Sequence, residues 1–145
     1  MATMNASKLE ACFHPTEKEY SSWGAYGNSK LANMLSARSF NAKYAATGVT
    51  AYSVHPGVVA TELGRQGMLT RGIYKFLAFT MKTAEDGAAT TLYAATSPQA
   101  LEENAGGYFD CSAATVGSKL ATDEALAEAL WVKSEEELAA WKAKQ

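Results

Sequence analysis

The clearest hydrophobic pattern in this chain is a helical one between residues 21 and 48. An apolar stripe repeats there at helical spacing, in Leu31, Met34 and Leu35. Alanines on this helix have small side chains, so the helix can lie close to a sheet or to another helix. Ser21 and Ser22 are good N-cap residues, and Gly48 is a natural stop after the last turn. The pattern therefore predicts one long helix within these limits.

Two short segments after this helix have the residue types of β-strands. Val49–Val54 precedes a His-Pro-Gly break, and Gly107–Cys111 begins with the second of two glycines. A helix, a glycine, a strand and a Pro-Gly break in this order indicate the second half of a β-α-β unit. The chain is therefore predicted to be α/β, with few strands, a parallel pairing between them and many helices.

Three further helices are predicted in the second half of the chain. An Ala/Thr-rich helix covers Ala84–Ser97 and ends before Pro98. Thr122 is a cap candidate for a helix over Glu124–Val132. Ser134 and Glu137 have the spacing of a capping box, which predicts a separate last helix.

Composition and charge exclude several classes of function. The 145 residues are 48% hydrophobic, which argues against disorder, and the net charge of −2 comes with no basic run or stacking motif for nucleic acid. Cys12 and Cys111 are expected to be free thiols, and His14 and His55 are too few and too separate for a metal site. No signal peptide or long apolar run is present, so a cytoplasmic location is the default prediction.

The candidate chemistry lies in the long helix, in Tyr26 and Lys30. These residues are four positions apart, so both side chains leave the same face of the helix. A nearby cation favours the charged form of a phenol, which then exchanges protons more readily with an alcohol or a ketone. A Tyr-x-x-x-Lys pair also occurs on helices by chance, with no catalytic role.

A second candidate site follows the first strand, at Pro56 and Gly57. In open α/β sheets, ligands bind beyond the carboxyl ends of the strands, where this break lies. Gly57 would let a ligand approach the main chain closely. Thr61 could offer a hydroxyl to the same ligand, although on general grounds a threonine here is more often a helix cap.

The motifs together resemble a known family. Ala25–Asn33, then Gly48-Val-Thr, then His55–Leu63 are similar to the short-chain dehydrogenase/reductases, and within them to the retinol dehydrogenase and WW-domain oxidoreductase type. The resemblance runs from about Glu17 to the C-terminus. Tyr-x-x-x-Lys followed by Pro-Gly-x-x-x-Thr at this separation is much more specific than either motif alone.

The resemblance implies a role for each matching residue. Tyr26 would be the general acid/base, and Lys30 would favour its charged form and hydrogen-bond the nicotinamide ribose. Pro56 and Gly57 would lie against the nicotinamide. The main chain of Val59 would contact the nicotinamide carboxamide, and the hydroxyl of Thr61 would also contact the cofactor. NADP(H) is the preferred cofactor over NAD(H), since it is typical of the branch resembled.

Three parts of the family pattern are absent from the sequence. No glycine-rich phosphate loop, no Asn-Ala-Gly stretch after a middle strand and no catalytic serine at a strand end is found, and we assign no such serine. Residues 1–145 are therefore expected to be the C-terminal half of a Rossmann-like domain. A truncated or misassigned start is the simplest explanation of these absences.

The resemblance also implies partners, and it leaves alternatives open. The apolar segment Leu63–Met81 would be a lid over a small lipophilic carbonyl or alcohol, or simply an amphipathic helix packed on the domain. A homodimer would pair through the helix that bears Tyr26 and Lys30. A longer form could reach the endoplasmic reticulum membrane. The alternatives are a non-catalytic binding or dimerisation module, an inactive truncated product and, among enzymes, a protochlorophyllide reductase-like activity.

Overall fold

Helices dominate the architecture, accompanied by one small three-stranded sheet. The structure is a computed structural model and describes residues 4–60, 81–104 and 107–145. The chain divides into two compact units, and the division falls inside the first strand. One unit is Met1–Ser53 with Val116–Gln145, and the other is Val54–Thr115.

The first unit is built on two long helices. Its α-helices are α1 (Leu9–Phe13), α2 (Ser22–Tyr44) and α5 (Glu124–Lys142). Three short 3₁₀ turns accompany them, at Ala6–Lys8, Ala45–Thr47 and Lys119–Thr122.

The boundaries of α2 agree with the capping signals of the sequence. Ser21 is the N-cap, and its Oγ accepts a hydrogen bond from the Gly24 N–H at 3.4 Å. After the 3₁₀ turn, Gly48 adopts a left-handed conformation with φ +74°, which a glycine tolerates at little cost. The prediction of one long helix between these residues is confirmed.

The core of the first unit lies between α2 and α5. Leu35 is fully buried, and Leu31 is nearly so. They pack in one cluster with apolar residues of α5, namely Leu126, Ala127 and Leu130. Burying a leucine side chain contributes about 1.5–3 kcal/mol, so this cluster holds the two helices together.

Helix α5 is continuous, and the prediction of two separate helices here is wrong. Asp123 caps it, since its Oδ1 accepts from the Leu126 N–H at 2.9 Å, whereas the Thr122 hydroxyl donates to the Lys119 carbonyl at 3.1 Å. Ser134 lies inside the helix, where its hydroxyl donates to the Leu130 carbonyl at 2.8 Å. Because that bond satisfies the hydroxyl locally, the helix passes through Ser134 without interruption.

Among the described residues, the second unit contains two helices and nearly all of the sheet. These helices are α3 (Ala84–Thr96) and α4 (Pro98–Asn104). The strands are β1 (Ser53–His55), β2 (Tyr108–Asp110) and β3 (Ala113–Thr115), in the order β1-β2-β3. Phe109 of β2 is fully buried, and its ring meets that of Tyr93 of α3 edge to face at 5.6 Å.

Strand β1 is shorter and later than the predicted Val49–Val54. The Asn41 carboxamide donates to the Ala51 carbonyl and accepts from the Ala51 N–H, both at 2.8 Å. These bonds occupy the main-chain groups that a sheet ladder would use, so the extended run begins to pair only near Ser53. Beyond β1, the Cys111 N–H donates to the His55 carbonyl at 3.1 Å.

The third strand is an addition to the predicted pair. Strands β2 and β3 form an antiparallel hairpin with Asp110 opposite Ala113. Its two turn residues, Cys111 and Ser112, have φ of 52° and 65°. Positive φ at both positions is the geometry of tight hairpin turns, which usually contain Asn or Gly. The expectation of two strands alone is therefore corrected to a mixed sheet.

The predicted α/β class is confirmed by this combination of helices with a small sheet. Most of the second unit's predicted helix, Ala84–Ser97, is also confirmed as α3, capped by Thr83. Among the helices of the described residues, none combines the length and the apolar character needed to cross a bilayer.

Candidate active site

Tyr26 and Lys30 lie together on α2, as their spacing predicts. The Lys30 ammonium nitrogen is 5.5 Å from the centroid of the Tyr26 ring. Tyr26 is 57% exposed, and Lys30 is exposed as well. The phenol and the ammonium are therefore neighbours on a face of the helix that a substrate can reach.

An aromatic side chain stands on the other side of the Tyr26 ring. Trp23, one turn earlier on α2, meets that ring edge to face, with centroids 6.5 Å apart. The backbone below the pair is regular helix, and the Ser29 hydroxyl donates to the Tyr26 carbonyl at 2.8 Å. Trp23 and Lys30 therefore both lie beside the Tyr26 ring on this exposed surface.

The second candidate site begins at the end of β1, in the other unit. Gly57 has φ +86°, a left-handed conformation that disfavours any residue with a Cβ. A Cβ at this position would lie 3.2 Å from Cδ and Cε of Lys82. The half-buried Lys82 side chain thus covers one side of the turn formed by Pro56 and Gly57.

Val59 follows this turn and pairs with Lys82 in an isolated parallel bridge. The Lys82 N–H donates to the Val58 carbonyl at 2.9 Å, and the Ala60 N–H donates to the Lys82 carbonyl at 3.0 Å. Main-chain groups alternate in direction along an extended segment, so the N–H and C=O of Val59 itself face away from Lys82. Within residues 4–60, 81–104 and 107–145, no hydrogen-bond partner is found for either group.

Other predicted features fall in the part of the chain that is not described. Thr61, the hydroxyl candidate, lies outside the described residues, as does nearly all of the predicted lid Leu63–Met81. Of the predicted site residues, Tyr26 and Lys30 belong to the first unit. Pro56, Gly57 and Val59 belong to the second.

A histidine and an aspartate lie at the ends of neighbouring strands beside the turn. His55 Nδ1 is 3.0 Å from Asp110 Oδ1, and both side chains are about half exposed. The hydrogen bond from His55, helped by Cys111 and by the charge of Lys82, holds the pKa of the Asp110 carboxyl below its ordinary value of 3.8. The pair links the end of β1, just before Pro56, to the end of β2.

Sequence reasoning misses the two residues that hold Val59. The main chain of Lys82 is hydrogen-bonded to Val58 and Ala60, on either side of Val59. Gly87 of α3 is buried directly against the Val59 side chain. Lys82 resembles any surface lysine in the sequence. A glycine inside an Ala/Thr-rich helix is a signal, since such a glycine often marks a close contact.

A cluster of possible metal ligands lies elsewhere in the first unit. Glu10, His14 and Glu137 present ligand atoms that are all within 4.8 Å of one another. The Lys133 ammonium lies 2.6 Å from Glu10 Oε2 and 2.8 Å from Glu137 Oε1, and His14 Nε2 is 2.9 Å from the latter oxygen. Because Lys133 supplies the positive charge between the carboxylates, we interpret the cluster as an ion network that ties α1 to α5.

A cavity of about 320 Å³ lies beside the first turns of α2, lined in part by Cys12, Tyr20 and Asn28. The Asn28 carboxamide accepts from the Met4 N–H at 3.2 Å and donates to Cys12 Sγ at 3.5 Å. Asn28 is two residues from both Tyr26 and Lys30, so it leaves the opposite side of the helix. The cavity is therefore separate from the Tyr26–Lys30 pair.

Known proteins resemble this chain over most of its length. No family model matches it. It is 42% identical over 116 residues to human retinol dehydrogenase 12, an alignment that covers 80% of this chain and 36% of that protein. It is 40% identical over 116 residues to mouse retinol dehydrogenase 11, with 79% and 36% covered. The short-chain dehydrogenase TIC 32 A, chloroplastic, of Brassica napus is 42% identical over 116 residues, with 77% and 36% covered.

These similarities and the paired Tyr26 and Lys30 define the class of protein. The chain belongs to the short-chain dehydrogenase/reductase family. Within the family it falls in the retinol dehydrogenase-like branch, as its motifs predict. Its fold is a partial α/β fold of the Rossmann-like type, and it spans 36% of the length of these relatives.

Proposed function

We propose that this chain carries the acid/base pair and part of the cofactor site of an NAD(P)-dependent oxidoreductase. The substrate would be a lipophilic alcohol or carbonyl compound. The observation that carries the proposal is the contact of Lys30 with Tyr26, 5.5 Å from ammonium to ring centroid, on an exposed helix face. Membership in an oxidoreductase family supports the same conclusion.

The pair performs the proton transfer of the reaction. In reduction, the Tyr26 hydroxyl donates its proton to the carbonyl oxygen, and in oxidation the phenolate removes the proton of the alcohol. The Lys30 ammonium, 5.5 Å from the centroid of the Tyr26 ring, places a positive charge beside the phenol. The nicotinamide, when bound, supplies or accepts the hydride.

The open main-chain edge at Val59 supports a contact with a nicotinamide carboxamide. The N–H and C=O of Val59 face a common edge and have no partner among the residues that the structure describes. A primary amide offers one acceptor and two donors, which complements such an edge. Pro56 and Gly57 would lie against the ring, and Thr61 would add a hydroxyl contact.

The proposed cofactor and substrate class are inferred from the retinol dehydrogenase-like branch of the family. We infer NADP(H) in preference to NAD(H), with Lys30 also bonding the nicotinamide ribose. Two of the relatives are named retinol dehydrogenases, so retinal is a suitable lipophilic carbonyl compound for the assay. A homodimer through α2 stays a prediction, testable by the mass of the native protein in solution.

The test of this proposal is the Tyr26→Phe substitution in the whole natural protein that carries this sequence. With NADPH and retinal, we expect turnover to fall by roughly 10²–10⁴-fold, the usual contribution of a general acid/base. Dinucleotide affinity should persist, since only one hydroxyl is removed. Tyr20→Phe is the control, because Tyr20 is a similarly exposed tyrosine outside the pair.

The alternatives give different results in the same assay. Equal turnover by Tyr26→Phe and the unmodified protein would contradict the role assigned to Tyr26. A protein that assembles with itself but binds neither NADPH nor NADH would be a binding module. Turnover that depends on illumination would indicate the protochlorophyllide reductase-like alternative. The same assays with NADH measure the cofactor preference.

A further inference from the structure

Gly87 lies in the first turn of α3, in direct contact with Val59. A Cβ built on Gly87 would be 2.5 Å from Cγ2 and 3.0 Å from Cγ1 of Val59. Real Cβ atoms essentially never lie closer than 3.0 Å to another heavy atom in such a contact. Only a hydrogen therefore fits between the helix and this valine.

The start of α3 is firmly tied to the segment that carries Val59. Lys82 forms the parallel bridge with Val59, and Thr83 follows it as the N-cap of α3. The Thr83 hydroxyl accepts from the Asp86 N–H at 3.1 Å and donates to the Asp86 carboxylate at 2.7 Å. The bridge and the first helical turn thus form one continuous element, and Gly87 is where that element meets the Val59 side chain.

These contacts hold Val59 in two directions. The bonds at Val58 and Ala60 set its register along Lys82, and they direct its own N–H and C=O to the opposite edge. The contact with Gly87 sets how closely its side chain approaches the helix. A larger residue at position 87 would push Val59 outward, and its main chain would move with it.

We propose that Gly87 is a positioning residue for the cofactor. By admitting the Val59 side chain against α3, it places the Val59 main chain where the nicotinamide carboxamide binds. This inference rests on the proposed function, because it assumes that the open edge of Val59 meets a dinucleotide.

The test is the Gly87→Ala substitution in the whole natural protein. We expect the dissociation constant for NADPH to rise roughly tenfold, the weakening that follows the loss of one or two hydrogen bonds. Turnover at saturating NADPH should change far less, since Tyr26 and Lys30 are unaltered. The binding is measured by the fluorescence of the bound dinucleotide, and turnover is measured with retinal.

Gly24→Ala is the matched control. Gly24 also lies in the first turn of its helix, but a Cβ there would meet Ser21 Cβ at 3.5 Å and Oγ at 3.6 Å, which are ordinary contacts. NADPH should therefore bind this variant as it binds the unmodified protein. The comparison separates the contact at Gly87 from the general effect of replacing a helical glycine.

A rescue experiment separates positioning from simple loss of folding. Val59→Ala removes both methyl carbons that the new Cβ would meet, and it leaves the main chain intact. The double variant Gly87→Ala/Val59→Ala should recover most of the NADPH affinity. It also decides the matter if Gly87→Ala alone does not fold, because relief of the contact should restore both folding and binding.

The outcomes distinguish this inference from the proposed function. If the unmodified protein binds NADPH and Gly87→Ala binds it equally well, the positioning role is overturned and the proposed function stands. A folded double variant that still binds weakly also overturns the positioning role. If the unmodified protein binds neither NADPH nor NADH, the proposed function fails and this inference fails with it.

Discussion

The two candidate regions are held in place in different ways. Tyr26 and Lys30 stand on the exposed face of a helix whose opposite side is anchored in a leucine-rich core. Val59 is held by a main-chain bridge to Lys82 on one edge and by the surface of α3 at Gly87. The first region offers side-chain chemistry on a rigid support, and the second offers main-chain groups set by close packing.

This difference determines which substitutions each region tolerates. An exposed side chain such as Tyr26 can be replaced without moving its helix, so its loss should affect chemistry alone. A main-chain site cannot be removed by replacing its own side chain, but it moves when a neighbour grows. The predictions below test this contrast through the support of α2, through the glycines and through the ion pairs.

The largest effect is expected from Leu35→Ala, on the buried side of α2. Leu35 is fully buried, and truncating such a leucine usually costs about 2–5 kcal/mol of unfolding free energy. Denaturant unfolding followed by circular dichroism measures the change. Leu138→Ala, at an exposed position of α5, is the control. A loss below about 1 kcal/mol for Leu35→Ala, no more than an average substitution gives, would show that the core does not anchor this helix.

The sequence predicts the first region better than the second, because the features of the first region can be recognised from residues close together in the chain. Ser21, Gly48 and the leucine stripe are all readable within one helix, and the Tyr-Lys spacing alone places both side chains on one face. The close contact between Val59 and Gly87 joins residues that are 28 positions apart in the chain. The glycine inside α3 is a local signal of a close contact, but only the structure shows that Val59 is its partner.

The missed strand β3 and the wrongly predicted break in α5 also arise where a local sequence pattern is not enough. Strand β2 lies within the predicted Gly107–Cys111, but Cys111 and Ser112 are unusual hairpin residues, so the sequence does not reveal that β3 follows them. Ser134 and Glu137 match a capping box, yet the Ser134 hydroxyl bonds within a helix that is already capped at Asp123. Because this bond satisfies the Ser134 hydroxyl inside the helix, α5 continues through the predicted break.

A smaller effect, and a sharper comparison, is expected from two left-handed glycines. Gly57→Ala and Gly48→Ala should each cost roughly 1–2 kcal/mol, since a left-handed conformation is unfavourable for alanine. A Cβ at Gly48 would meet no atom within 4 Å, whereas one at Gly57 would press on Lys82. Only Gly57→Ala should also weaken NADPH binding. Thermal melting and dinucleotide titration of both variants measure the two effects, and equal binding by both would remove Gly57 from the site.

The smallest effects should come from two partly exposed carboxylates, one in each unit. Lys133, and then His14, holds the pKa of Glu137 below its ordinary value of 4.5. His55 does the same for Asp110, whose ordinary value is 3.8. A carboxyl with a lowered pKa in the folded state stabilises the fold fully above its ordinary pKa. That stabilisation disappears as the pH falls through the lower, folded value.

The stability should therefore be level at neutral pH and should decline in acid, below about pH 4.5 for Glu137. Glu137→Gln and Asp110→Asn should each flatten part of that decline, and the loss at neutral pH should be modest because exposed ion pairs are weak. Thermal melting from pH 7 to pH 3, at low and high salt, measures these slopes. If the Asp110→Asn slope matches that of the unmodified protein while the Glu137→Gln slope does not, the His55–Asp110 pair contributes nothing to stability. The pair would then matter only for the turn at Pro56 and Gly57, which it adjoins. The main chain of that turn is positioned by packing against Lys82 rather than by charge.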